Sequence, residues 1–123
     1  MTFDWTQGDL AEGLRCYNAG QYFAAHESWE VVWLAAPEPE KTFLQGIIQV
    51  TAAFEHQLRN NPLGTKRLLA AALRRLDPLP PVFGGIALAQ LRDDIRACLQ
   101  TLTATPPDAM PAAQLSRPRI HPL

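Results

Sequence analysis

Clusters of helix-breaking residues cut this chain at short intervals, and that punctuation constrains its fold more than any other feature. Asn18-Ala19-Gly20 closes a first segment, with Gly20 suited to a left-handed helix cap. Pro37-Glu38-Pro39-Glu40 stops a second and opens a third, since proline and acids are tolerated in a first helical turn. Asn61-Pro62 reads as an N-cap and first-turn pair. Asp77-Pro78-Leu79-Pro80-Pro81 cannot be helical and bridges to Gly84-Gly85.

Between these breakers the apolar residues recur at helical spacing. Leu10, Leu14 and Tyr17 share one side of a helix from about Gly8 to Tyr17. A second helix runs from about Gln21 to Ala35, with Trp29 and Trp33 as core anchors. The third, about Glu40 to Asn60, is apolar on nearly all sides, which places it at the centre with other helices around it. The fourth, Pro62 to Leu76, is plainly amphipathic: Leu68, Leu69, Ala72, Leu73 and Leu76 oppose Lys66, Arg67, Arg74 and Arg75. The fifth, about Ala87 to Leu102, carries the stripe Leu88, Leu91, Ile95, Cys98, Leu99 and Leu102. No strand pattern appears. The expectation is an all-α protein, a single compact bundle of about five helices over residues 1–105, with a proline-rich tail over 106–123 that has no core of its own. A lone tetratricopeptide-like stretch at Tyr17–Ala25 has no second copy, so a solenoid is not expected.

Bulk properties narrow the function classes. A net charge of −1 argues against dedicated nucleic-acid binding. The charges are nevertheless uneven, with acids dominating residues 1–40 and bases dominating 41–76. Lys66, Arg67, Arg74 and Arg75 are therefore candidates for meeting an anionic partner or a second copy of the chain. No apolar run reaches the ~18–20 residues of a membrane span, and no basic-then-apolar leader opens the sequence. Cys16 and Cys98 form no CxxC, which fits reduced, buried thiols and a cytoplasmic location.

Chemistry-bearing residues concentrate on the second and third helices. At ~100° per residue, Tyr22, His26, Trp29 and Trp33 fall within ~60° of one another, with Glu30 one turn beyond His26. Gln45, Gln49, Ala52 and His56 line up similarly, with Arg59 near the end of that line. If the two stripes face one another across an antiparallel pair, His26 meets His56 and Glu30 meets Gln49 in one polar pocket. Two imidazoles and a carboxylate, His26, His56 and Glu30, suffice as a ligand set for a divalent transition metal. The same groups also make a metal-free general base with its orienter. Gln45 and Gln49 would line the substrate position, and Arg59 would hold an anionic group. The HExxE spacing at residues 26–30 is not HExxH, and no pair of ExxH motifs is present for a di-iron site. The competing reading is a Gln–Glu–His network that only fixes helix register.

Three blocks carry a family resemblance: Phe23-Ala24-Ala25-His26-Glu27-Ser28-Trp29-Glu30, Phe43-Leu44-Gln45-Gly46-Ile47-Ile48-Gln49 and His56-Gln57-Leu58-Arg59-Asn60-Asn61-Pro62-Leu63-Gly64. In this order they resemble the bacterial and archaeal family catalogued as domain of unknown function 309. The likeness runs over about residues 10–100, and the Gly84-Gly85-Ile86 segment resembles the family's later glycine–isoleucine turn. Ala87 stands where that family often has an aspartate. The resemblance implies a small all-helical bundle, and some classifications label the family a predicted metal-dependent hydrolase. Two expectations follow: a binding or assembly module whose buried polar residues fix packing, or a hydrolase-like enzyme using His26, Glu30 and His56.

Overall fold

The computed structural model describes residues 1–106 and 115–123. Five helices follow in order among them: α1 (Gly8–Asn18), α2 (Tyr22–Ala35), α3 (Glu40–Leu58), α4 (Pro62–Leu76) and α5 (Leu88–Ala104). A two-stranded hairpin, β1 (Val82–Phe83) and β2 (Ile86–Ala87), precedes α5. Each helix packs on the next along the chain, with α3 held between α2 and α4. Its buried residues include Phe43, Leu44, Ile47, Ile48, Val50, Ala53 and Phe54, which confirms it as the central element. Among the described residues no helix is long and apolar enough to cross a membrane.

The helix ends follow local chemistry. Gly20 (φ 77°) ends α1, with Gln21 N–H donating to Cys16 C=O and Gly20 N–H to Tyr17 C=O. This doubled closure satisfies two of the last carbonyls of the helix. The end of α3 repeats it with a non-glycine residue: Asn60 takes φ 55°, Asn61 N–H donates to His56 C=O, and Asn60 N–H to Gln57 C=O. Asparagine tolerates this left-handed conformation better than most side chains. Asn61 then starts α4, its side chain accepting from Gly64 N–H at 3.0 Å, with Pro62 in the first turn. Gly46 lets α3 approach α4 closely, because a Cβ there would lie 2.7 Å from a Leu76 methyl.

The hairpin departs from the expectation of no strands. Its strands have two residues each, too short to show alternation in the sequence. Gly84 and Gly85, at φ 62° and 72°, supply the paired positive φ values that a tight hairpin turn requires. The N-terminal arm caps this turn: Trp5 Nε1 donates to Gly84 C=O at 2.7 Å, and Phe3 meets Phe43 edge-on at 5.2 Å. Residues 115–123 dock against α1, α5 and the hairpin. Tyr17 donates its hydroxyl proton to Pro118 C=O at 2.6 Å, Ala87 N–H donates to His121 C=O, and Ile120 is buried. Cys16 and Cys98 are buried free thiols.

Candidate functional site

The buried line of α2 is Tyr22, Ala25 and Trp29, continued by Ala36 just past its end. Trp29 is fully enclosed and donates its indole N–H to Leu10 C=O of α1 at 3.2 Å. His26 stands one residue beyond Ala25, ~100° round from it and ~60° from Trp29. It therefore lies on the flank of the helix, 32% exposed, with Nε2 2.9 Å from Glu30 Oε2, itself 51% exposed. The pair opens onto a hollow of ≈ 300 Å³ walled by Phe23, His26, Glu27, Glu30, Val31 and Leu34, all from α2. No α3 side chain lines it.

The polar line of α3 turns toward α4 instead. Gln49 Oε1 accepts from Arg75 Nε of α4 at 3.1 Å. Gln45 lines a hollow of ≈ 320 Å³ with Trp33, Glu38, Lys41, Thr42 and Arg75, and Lys41 Nζ sits 4.4 Å above the Trp33 ring. His56 Nδ1 lies 3.1 Å from Asn61 Nδ2, inside the α3–α4 corner and close under Gly64. Arg59, just past the end of α3, donates to Glu55 at 2.8 Å.

These placements correct the shared pocket expected from the sequence. Gln45 does share a hollow with Trp33, but Gln49 pairs with Arg75 rather than Glu30, and His56 with Asn61 rather than His26. The physical reason is the facing of α2. Trp29 and Ala25 define its inward side, and His26 and Glu30 follow one step round. Nor is the polar set a buried network, since His26 and Glu30 are partly in solvent. The metal that the family label implies also lacks a fit. Among the described residues no group of three or more His, Cys, Asp or Glu side chains is placed to hold an ion. Lys66, Arg67, Arg74 and Arg75 are exposed as expected, with Arg75 tethered to Gln49.

The sequence reading missed the outer face of α2. Phe23, Val31 and Leu34 are 60%, 55% and 65% exposed, and Leu58 of α3, near Phe23, is 62% exposed. Phe23 also walls a second hollow, of ≈ 480 Å³, with Tyr22, Glu55, Leu58 and Arg59. A signal was present: on a helical wheel Phe23, Val31 and Leu34 fall ~120–160° from Trp29. A helix apolar all round needs neighbours on every side, and α2 packs chiefly on α1 and α3.

Residues 10–68 match the family model described as Domain of unknown function (DUF309). An uncharacterized protein of Aquifex aeolicus (strain VF5) is 30% identical over 93 residues, 75% of this chain and 28% of that protein. Uncharacterized protein YpuF of Bacillus subtilis (strain 168) is 39% identical over 56 residues, 45% of this chain and 32% of its own length. The matched region thus spans about a third or less of these relatives. The part of the chain that carries the α2 hollow, the α3 polar line and the α3–α4 corner, residues 10–68, belongs to the Domain of unknown function (DUF309) family.

Proposed function

We propose that this chain is a protein-binding module whose docking surface is the outer face of α2. The observation that carries the reading is the exposure of Phe23, Val31 and Leu34 on one side of a single helix, around a shared hollow. Single exposed apolar residues need no explanation, but a contiguous set around a concavity marks an interaction site. Photo-crosslinking in the native cell tests it. A benzophenone side chain placed at Phe23 or Leu34 gives a discrete adduct, and one placed at exposed Asp93 of α5 gives none. Absence of an adduct from both α2 positions removes the reading.

A second reading keeps the hydrolase-like enzyme, and the observation favouring it is the His26–Glu30 pair at 2.9 Å beside a hollow. A carboxylate that orients an imidazole suits a general base. Its third expected member, His56, is engaged with Asn61. A hydrolytic activity abolished by His26→Ala, in protein of unchanged stability, would establish this reading over the first.

A further inference from the structure

The α2 face carries a chemical specification for what covers it. Its two strongest apolar anchors, Phe23 and Leu34, are eleven residues apart, or ~16 Å along the axis, about three helical turns. Between them, on the same side, stand Glu27 and Glu30; Glu30 meets His26 at 2.9 Å, and α2 contains no lysine or arginine, so Glu27 has no fixed cation on its own helix. The hollow is therefore apolar at its ends and anionic at its middle.

We infer that the occupant is an amphipathic helix of a partner protein that places a Lys or Arg between two apolar anchors, so that the cation's stem lies in the α2 hollow and its head meets Glu27 and Glu30. This rests on the docking reading above. Long basic side chains combine both requirements, burying an aliphatic stem while keeping a charged tip for a carboxylate. A helix laid along a helix supplies anchors at the spacing of Phe23 and Leu34. Charge decides against a second copy docked through the same face, a lipid surface and a nucleic acid. A second copy meeting this chain through the same face, antiparallel, would set Glu27 of one copy against Glu30 of the other, twice, and like charges across an interface are costly. An anionic lipid surface or a nucleic acid meets the same repulsion.

The test uses the full chain and three synthetic amphipathic peptides with an identical leucine–isoleucine face, flanked by Lys, Gln or Glu. Fluorescence anisotropy reads their affinity at low and high salt. The Lys-flanked peptide is expected to bind at least ~10-fold more tightly than the Gln-flanked one, with the advantage lost at high salt. The double variant Glu27→Gln with Glu30→Gln is expected to remove that preference, and Leu34→Ser to weaken all binding. Both changes sit at exposed positions, and thermal unfolding confirms that the variants are folded. Equal binding of the Gln- or Glu-flanked peptide overturns the inference while leaving the docking surface in place. If no peptide binds but the Phe23 crosslink forms, the helical occupant is wrong and the surface stands; if both fail, the surface falls too. Self-association of the chain alone, abolished by Arg74→Glu with Arg75→Glu, would instead assign the α2 face to the basic α4 of a second copy.

Discussion

Gly13 shows how tightly one residue can be determined. A Cβ at this position would lie 2.2 Å from Trp29 Nε1, so α1 meets the indole with no room for a methyl group. Alanine favours a helix over glycine by about 1 kcal/mol. Here the clash is with a fully buried ring whose N–H is engaged by Leu10 C=O, and over-packing of this kind costs ~1–3 kcal/mol with a lost hydrogen bond added. Gly13→Ala is therefore expected to lower stability by about 2 kcal/mol, read as a reduced urea midpoint. Gly46→Ala meets the Leu76 side chain, 2.7 Å from a methyl and 2.8 Å from Cγ, and Leu76 is fully buried, so it too is expected to lower the urea midpoint. Cys98 offers a second check at this scale. Burial, then the nearby Asp94 charge, pushes its thiol up to about 11, and its Sγ–H donates to Ser116 C=O at 3.2 Å. Native protein is expected to resist thiol reagents at neutral pH at this site, while urea-unfolded protein reacts at once. Rapid native labelling of Cys98 would contradict the docked arrangement.

At the scale of elements, the α3–α4 corner and the docked segment 115–123 make separate predictions. Asn61 caps α4 and also meets His56, so Asn61→Ala is expected to cost about 1 kcal/mol by chemical denaturation. The segment is held partly by Asp94, whose carboxylate accepts from Arg119 N–H at 2.9 Å and from Gln90 Nε2 at 2.8 Å. Burial works to raise the Asp94 pKa, but these hydrogen bonds, with the Arg119 side chain, hold it below the ordinary 3.8. A carboxyl lowered in the folded state stabilises it fully above the ordinary value and loses that contribution as pH falls through the lowered one. Protection of the Arg119 amide against exchange, relative to its intrinsic rate at each pH, is thus expected to be high at neutral pH and to fall below the ordinary carboxylate range. In Asp94→Asn it is expected to be low at both. The five helices were legible because proline, glycine and asparagine mark their ends, and observed limits differ from the expected ones by a residue or two. The facing of α2 was less legible. One step along a helix is ~100°, so a choice between Ala25 and His26 as the inward residue decides where the whole polar stripe points. Volume settled it: Trp29 fills the space against Leu10 and Gly13 of α1, and Ala25 is buried with it. The Phe3 and Trp5 arm was invisible to periodicity because it is not helical.

Across the whole molecule, the charge asymmetry of the sequence becomes two separate faces, Glu27 and Glu30 on α2 and Lys66, Arg67, Arg74 and Arg75 on α4. If neither serves the fold, Phe23→Ser and Arg74→Glu are each expected to shift unfolding free energy by no more than ~0.5 kcal/mol. A loss above ~2 kcal/mol in either would make that face part of the core instead. Metal analysis of untagged protein tests the metal-dependent form of the hydrolase expectation, and substoichiometric zinc, manganese and iron are expected, since His26, Glu30 and His56 are not gathered into a group. Long-range contacts bear on how the molecule assembles. The bond from Tyr17 to Pro118 joins positions 101 apart, whereas each helix from α1 to α5 finds a packing partner next to it in sequence. Local contacts form quickly and distant ones wait on chain closure. During synthesis the helical hairpins can therefore condense while α1 still shows solvent the Tyr17 hydroxyl, and only the arrival of residues 115–123 latches the first helix to the last.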